Sequence, residues 1–335
     1  MMMKRIINGF TIVELIVVIS IIGILAAIVI VSYNGWNQKT TTAQLKSDLN
    51  GAAAAMENAR TFENKYPDTV PSTFAPSSGV DIKGGGLNNG KDYSIDATNG
   101  TVSYNIGNNY NTPQVGPRPI LYLDASNAKS YPGTGTTWYD LSGLSNNASL
   151  SGATYDSVNK AISFNGSGDY AAVTSTSALN STNNGTFSIS VWLKPNTLTS
   201  AWIRGIIVQE QYLASGYRFG LGNGGQPVWW TSQSVPGAQA SSAIDTMTSS
   251  QSLIINQWAN VTVTYNNQQG YIYVNGAQTA SKTGIYIAGA NSVRVGQSVM
   301  EWYSGLISNI RYYSRALTST EVQLDYDNLH ALYGL

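Results

Sequence analysis

A long apolar stretch near the start of the chain constrains its fold more than any other feature. The segment from Phe10 to Val31 is apolar apart from Thr11, Glu14 and Ser20, and Lys4 and Arg5 precede it. As a helix it would be about 33 Å long, enough to cross a hydrocarbon core of about 30 Å. Basic flanking residues stay on the cytoplasmic side, so we expect the residues after Val31 to lie outside the membrane.

The carboxylate of Glu14 is the feature of this stretch that needs an explanation. A charge inside a membrane costs about 2.5–3.5 kcal/mol or more, and a plain anchor gives no reason for it. A secretion signal has a shorter apolar segment of about 7–15 residues before a small-residue cleavage site. The run Gly9-Phe10-Thr11-Ile12-Val13-Glu14-Leu15 instead resembles the processing site of type IV pilins and of the related pseudopilins of type II secretion.

This resemblance implies cleavage between Gly9 and Phe10 by a prepilin peptidase and N-methylation of Phe10. It also implies that Glu14 pairs with the N-terminal amine of a neighbouring subunit, which compensates for its buried charge. Residues 1–9 are then a leader. Residues 10–31 form a helix that lies in the membrane before assembly and in a filament core afterwards, in contact with other pilin subunits. Many pilins have a proline midway along this helix, and Val31 stands in that region here.

Residues 32–106 are predicted to form an amphipathic helix and a reduced pilin head. Apolar residues at three- and four-residue spacings indicate a helix with one stripe on a small sheet; they are Leu45, Leu49, Ala52, Ala53 and Met56. Prolines and the Gly84-Gly85-Gly86 run predict a long loop. Strands at 93–97 and 101–106 flank Asn99-Gly100, which is typical of a tight hairpin turn. Residues 107–119 are predicted to be a linker stiffened by prolines.

The remainder of the chain, residues 120–335, has the pattern of short strands and turns. Phe187, Ile189, Val191 and Leu193 alternate with polar or outward positions, as expected for a strand with one buried face. Asn-Gly pairs at 165, 184, 223 and 275 separate such runs. Many short strands with regular turns predict a sandwich or jelly roll.

The order of the motifs in this part is similar to that of the laminin-G/concanavalin A-like jelly roll. The matching pieces are Trp138-Tyr-Asp-Leu-Ser-Gly, Ile162-Ser-Phe-Asn-Gly, Phe187 to Pro195, Trp258 to Tyr265, Tyr273-Val-Asn-Gly and Gly305 to Thr318. The predicted fold class is therefore an α+β pilin-like N-terminus, with a long helix and a small sheet, followed by an all-β jelly-roll sandwich. The resemblance implies glycan or protein binding, often with calcium, and some members of the fold are glycosidases.

The composition argues against several functions. Lys+Arg and Asp+Glu are 18 each, which removes the electrostatic reason to expect nucleic acid as a partner. The absence of cysteine excludes disulfides and thiolate metal sites. The Glu-x-Asp-x-x-Glu motif of the fold's hydrolases is missing and leaves Glu210 and Glu301 as isolated carboxylates. The only histidine, His330, is expected to be a surface or packing residue, so we do not expect an enzyme.

Two kinds of binding residue remain as predictions. Loop oxygens suit Ca²⁺, and the candidate ligands are Asp124, Asp140, Asn165 and Asp169; alternatively these residues only close turns. Aromatic rings outside the regular pattern suit sugars or apolar side chains, and the candidates are Trp202, Tyr212, Trp229, Trp230, Trp302 and Tyr303. Of Trp229 and Trp230, adjacent on a strand, one should face inward and one outward. Trp192 and Trp258 are expected in the core.

Three functions are compatible with these features. The first is a minor or tip pilin that displays an adhesin for a glycan or protein on another surface. The second is a pseudopilin of a secretion or DNA-uptake system, with a domain that recognises cargo. The third is a surface-anchored glycosidase that uses Glu210 or Glu301.

Overall fold

A computed structural model of the chain describes residues 12–61, 64–109, 113–173, 179, 185–198, 203–211, 215–232, 244–283, 292–298 and 301–335. The first element is the long helix α1, Ile12–Asn58. Within it, the predicted stripe from Leu45 to Met56 is buried and packs with Tyr93, Ile95 and Tyr104 in one apolar cluster. The second half of α1 is therefore amphipathic, as its spacing predicts.

This half of α1 lies on a small antiparallel sheet. In order, its strands are β1 (Asp81–Leu87), β2 (Asp92–Thr98), β3 (Ser103–Gly107) and β4 (Gln114–Val115). Strands β2 and β3 form the predicted hairpin, but residues 99–102 separate the paired residues Thr98 and Ser103, so its turn is longer than the predicted tight turn. Gly100 in this turn has a φ of 85°. The prediction of a loop through Gly84-Gly85-Gly86 was wrong, because this run supplies three of the seven residues of β1 and pairs with β2.

Two larger sheets make up the sandwich. In chain order, its strands are β5 (Leu121–Asp124), β6 (Thr137–Trp138), β7 (Ala148–Ser151), β8 (Thr154–Asp156), β9 (Ala161–Asn165), β10 (Tyr170–Val173), β11 (Thr186–Pro195), β12 (Arg204–Gln211), β13 (Ser215–Leu221), β14 (Pro227–Ser232), β15 (Ile244–Thr248), β16 (Ala259–Asn266), β17 (Gln269–Val274), β18 (Ala277–Thr283), β19 (Val293–Val295) and β20 (Ser304–Tyr313). A helix α2 (Ser319–Leu329) and a 3₁₀ turn (His330–Tyr333) follow.

The first sandwich sheet has the order β15-β14-β13-β12-β19-β10-β7-β6 among the described residues. The second has the order β18-β17-β16-β11-β20-β9-β8, and β5 also pairs with β20. All these pairings are antiparallel. Apolar side chains from both sheets, among them Ile189 and Phe219, share one core. The result is the jelly-roll-like sandwich that the strand pattern predicts.

The outer face of the second sandwich sheet is covered by α2. Thr318 caps this helix through a capping box with Glu321, and Val322 packs against Tyr273, Tyr313 and Leu317. Asp325 pairs with Arg311 of β20, and both side chains are almost fully buried. The helix is therefore part of the sandwich.

The same helix also contacts the small sheet and α1. The carboxylate of Glu321 accepts a hydrogen bond from the backbone N–H of Ser103 at 3.0 Å, and Lys46 of α1 donates to Asn328 at 3.3 Å. Leu324 packs against the apolar cluster beneath α1. Helix α2 therefore joins the sandwich to the N-terminal part of the protein.

The segment predicted as a linker is held by pairing and hydrogen bonds where the structure describes it. Strand β4 pairs with β3, and Asn105 donates to the carbonyls of Gly116 and Pro117 at 3.0 and 2.9 Å. The N–H of Arg118 donates to Asp96 at 2.7 Å. These contacts fix the path of residues 113–118 between the small sheet and the sandwich.

Candidate ligand-binding site

The predicted processing site lies at the edge of what the structure describes. Gly9 and Phe10 lie outside the described residues, and Glu14 lies on α1 without a described side chain. Farther along, α1 has six apolar side chains that are each 45–58% exposed: Ile16, Val17, Val18, Ile19, Ile21 and Ile22. This part of α1 therefore has an exposed apolar surface among the described residues, and such surfaces are typical of membrane or protein interaction regions.

Among the residues whose placement is described, no helix combines the length and apolarity needed to cross a membrane.

The predicted aromatic ligand contacts differ in how deeply their side chains are buried. Trp202 and Tyr212 lie outside the described residues. Trp229 and Tyr303 are 1% and 0% exposed and belong to the sandwich core, which corrects their prediction as ligand contacts. Trp302 is half-buried and pairs with Gly205 and Gln297 through isolated bridges.

Trp230 does lie on the opposite face of β14 from Trp229, yet it is only 7% exposed. The guanidinium of Arg218 stands 4.5 Å from its ring centroid. A side chain on the neighbouring strand therefore covers the outward tryptophan, and alternation alone does not predict exposure.

The predicted calcium ligands all accept hydrogen bonds that close turns. Asp140 accepts from the N–H groups of Tyr122, Ser142 and Asn146 at 2.9 Å, and burial raises the pKa of its carboxyl above the usual value. Asp124 accepts from Ser126.

Asn165 and Asp169 share one loop, in which Asn165 accepts from Ser167 and Asp169 accepts from the N–H of Asn165. In the described part of the chain, no three His, Cys, Asp or Glu side chains are grouped so as to hold a metal ion. The calcium site stays a prediction.

A cleft that the sequence does not reveal lies on the outer face of the second sandwich sheet. Trp192 of β11 is buried there, as predicted, and Tyr333 of the 3₁₀ turn stacks on it with ring centroids 4.0 Å apart and planes 7° apart. Trp258 lies 4.9 Å from Tyr333. It is only half-buried, which corrects its prediction as a core residue; it lies just before β16, beside the exposed turn at Asn256.

The cleft has two adjoining parts that share Ser126, Leu332 and Tyr333. The first part has a volume of about 460 Å³ and is also lined by Tyr122, Asp124 and Arg311. The second has a volume of about 370 Å³ and is also lined by Val158, Asn159, Lys160, Trp258 and Ser308. These residues come from five separate regions of the chain, which is why no local pattern in the sequence indicates the site.

The buried charge beneath the first part of the cleft is neutralised within the protein. Arg311 pairs with Asp325 and donates to Gln114 of β4 at 2.8 Å. Burial alone would lower the pKa of Arg311, but the adjacent carboxylate of Asp325 raises it well above its usual value. Burial also raises the pKa of Tyr122 to about 12. At neutral pH, this floor therefore consists of a charge pair and a neutral phenol.

The candidate catalytic residues show no acid–base constellation in the described structure. The side chain of Glu210 is not described, and Glu301 contacts Ser298 through its backbone. His330 stacks on Tyr326 at 5.3 Å, and its Nδ1 lies 3.0 Å from the carbonyl oxygen of Asp327. His330 is thus a packing residue at the end of α2.

Comparison with known proteins separates the chain into two similarities. Residues 4–30 match the prokaryotic N-terminal methylation motif, and residues 165–323 match the concanavalin A-like lectin/glucanases superfamily. The type IV major alpha-pilin of Moraxella bovis is 42% identical over 60 residues, which are 18% of this chain and 37% of that protein. The type IV major fimbrial protein FimA of Dichelobacter nodosus is 40% identical over 72 residues, 21% of this chain and 45% of FimA. The chain thus spans less than half the length of these relatives.

Solved structures resemble the sandwich. The binding domain of Paraclostridial Mosquitocidal Protein 1 has a TM-score of 0.51 and 17% identity, over 63% of this chain and 52% of that one. Domain 4 of AbnA, an extracellular arabinanase from Geobacillus stearothermophilus, has a TM-score of 0.48 and 17% identity, over 62% of this chain and 98% of that one. Because the identity is only 17%, the similarity to the mosquitocidal protein's binding domain shows the fold alone. The chain therefore joins an N-terminal methylation motif of the type IV pilin kind to a concanavalin A-like sandwich domain.

Proposed function

We propose that this protein is a subunit of a type IV pilin-like surface filament and that its sandwich binds a glycan or protein on another surface. The observation that carries this proposal is the presence of both parts in one chain. The methylation motif occupies residues 4–30, and the concanavalin A-like match begins at residue 165. The exposed apolar surface of α1 from Ile16 to Ile22 supports assembly through this helix.

In this proposal, a prepilin peptidase cleaves between Gly9 and Phe10, and Phe10 is then methylated. The Glu14 carboxylate pairs with the amine of a neighbouring subunit, which offsets the cost of its burial in an apolar helix bundle. The subunit resides in the cytoplasmic membrane before assembly and on the filament afterwards. No catalytic step is part of the proposal.

The size of the sandwich supports a minor or tip position. Residues 120–335 have an expected radius of gyration of about 17 Å, whereas packed helices lie only about 8–10 Å apart. A load of this size on every subunit would crowd a filament built on a helical core. The proposed position is therefore one of low copy number, where the sandwich extends from the filament.

The test compares filaments sheared from cells that carry the wild-type chain or Glu14→Ala. We expect a mature chain that begins with methylated Phe10 by mass spectrometry, a copy number far below that of a smaller pilin, and loss of the chain from filaments in the variant. Equal abundance with the smaller pilin would contradict the minor position. Lost secretion with intact adhesion in a deletion strain would indicate a pseudopilin instead.

A further inference from the structure

The cleft beside Tyr333 has the dimensions of a small-molecule site. Its two parts, of about 460 and 370 Å³, each fall in the range of about 300–1,000 Å³ that is usual for ligand pockets. They adjoin along Ser126, Leu332 and Tyr333. A ligand with two or more linked units could occupy both parts at once.

The aromatic wall of the cleft consists of rings packed against one another. Tyr333 stacks flat on buried Trp192, and the half-buried ring of Trp258 lies beside it. Aromatic rings held in this way offer a large contact area and lose little conformational entropy when a ligand binds. The wall is therefore suited to a ligand with a flat apolar face.

The polar groups of the cleft are held in place by hydrogen bonds within the protein. In the first part, the carboxylate of Asp124 accepts from the N–H of Ser126 at 2.9 Å. In the second part, the N–H of Asn159 donates to Asp156 at 2.8 Å and the hydroxyl of Ser308 donates to the carbonyl of Lys160 at 3.0 Å. Their amide, hydroxyl and carboxylate groups line the cleft with both donors and acceptors.

The charges of the cleft balance. Asp124 lines the first part and Lys160 the second, and the charge of Arg311 is already matched by Asp325. A strongly anionic or cationic ligand would meet one opposite and one like charge. An uncharged ligand with hydroxyl groups and a flat apolar face fits better than either.

From these observations we infer that this cleft binds a short neutral saccharide across the Trp258–Tyr333 wall. The inference deepens the proposed function and rests on the sandwich acting as a ligand-binding domain. It assigns the contact to the outer face of the second sandwich sheet, at residues contributed in part by the segment after α2. The rival location is the region of Trp302, where the sequence also predicts a ligand contact.

The experiment uses the full chain in a detergent without a sugar headgroup, applied to an array of immobilised neutral and sialylated glycans. Calorimetry with the neutral glycan that binds best then compares the wild type with Trp258→Ala, Trp258→Phe and the control Trp302→Ala. Loss of a buried aromatic contact typically weakens binding by about tenfold or more. We therefore expect such a loss for Trp258→Ala, partial retention for Trp258→Phe and wild-type affinity for Trp302→Ala.

Several results would overturn the inference. They are no binding of neutral glycans by the wild type, binding of sialylated glycans alone, equal affinity of wild type and Trp258→Ala, or a loss confined to Trp302→Ala. Thermal melts of all variants show whether a loss of affinity reflects unfolding. If Trp258→Ala melts at a lower temperature than the wild type, the affinities of Trp258→Phe and Leu332→Ala test the inference instead. Leu332 suits this test because it is 76% exposed and lines both parts of the cleft. Incorporation into filaments is measured separately, so that its failure counts against the proposed function and not against the cleft.

Discussion

Removal of one partner from the Arg311–Asp325 pair gives the sharpest test of how the sandwich is held to the rest of the protein. Both side chains are almost fully buried, with 1% and 4% of their surface exposed, so solvent does not screen the charges. In Asp325→Ala, the guanidinium of Arg311 keeps hydrogen bonds to the uncharged side chains of Gln114 and Tyr122 but loses its carboxylate partner. An uncompensated buried charge usually costs about 3–5 kcal/mol, and we expect a loss of this size in the free energy of unfolding.

The double variant Arg311→Met/Asp325→Leu separates the cost of an orphaned charge from the net worth of the pair. Replacement of a buried pair by apolar residues is often neutral or stabilising. The pair here also leaves the Nε of Arg311 without a hydrogen-bond partner in the described structure. We therefore expect the double variant to be more stable than Asp325→Ala by about 2 kcal/mol or more.

The assay is denaturant unfolding of the full chain in detergent, followed by tryptophan fluorescence, with hydrogen exchange of the Gly116 amide as a local probe. That amide donates to Ser103 at 2.7 Å beside β4, the strand that contacts Arg311 through Gln114. Its exchange should quicken in Asp325→Ala. A loss below about 1 kcal/mol, with unchanged exchange at Gly116, would refute the reasoning, because a pair worth so little is typical of exposed positions.

Three single substitutions should change the stability of the fold. Thr318→Ala removes the cap of α2 and should cost about 1 kcal/mol in denaturant unfolding, whereas Thr318→Ser should cost little. Asn105→Ala leaves two carbonyls of the 113–118 segment without their donor and should cost about 1–3 kcal/mol; an unchanged midpoint would contradict this role. Burial raises the pKa of Asp96, so the stability that this carboxyl contributes is present at low pH and is lost as pH rises through its folded pKa. The stability of Asp96→Asn relative to wild type should therefore increase between pH 3 and pH 7 in thermal melts, and a flat difference would contradict it.

Local sequence patterns predicted the elements whose stability comes from near neighbours. The alternation from Phe187 to Leu193 forms β11, as predicted, and β11 pairs with β16 in the antiparallel direction. Asn275 and Gly276 both have positive φ values, 51° and 81°, at the turn between β17 and β18. Such turns and alternating strands are encoded within a few residues, so they can be inferred without the tertiary structure.

The missed elements depend on contacts between distant residues. The Gly84-Gly85-Gly86 run has the composition of a loop but forms a strand, because backbone from another segment lies directly against it. The N–H of Gly86 donates to the carbonyl of Pro67 at 2.7 Å, and a Cβ on Gly86 would stand 3.0 Å from that oxygen. Glycine here permits close approach of two backbones, which composition alone does not distinguish from a flexible loop.

The sequence does not predict the cleft, for a related reason. The sequence indicates which aromatic residues lie in loop-like surroundings, whereas the exposure of a ring depends on the side chains that cover it in the folded protein. Arg218 covers Trp230, whereas Trp258, which matches the family pattern at the start of a strand, is only half-buried beside Tyr333. The relevant contacts join residues far apart in the chain, and only the folded protein brings them together.

The position of α2 links these findings. One side of the helix lies on the sheet that carries the cleft, through Val322 and Asp325, while Glu321 and Leu324 reach the small sheet and the cluster beneath α1. The segment that forms part of the cleft wall follows α2 directly. A mechanical force on a ligand in the cleft would therefore be transmitted to the N-terminal part through the buried contacts of α2, and not through a free linker. Thr318→Ala, which weakens the start of α2 without touching the cleft floor or Trp258, should lower the stability of the joint. It should leave saccharide affinity near that of the wild type at temperatures where the chain stays folded.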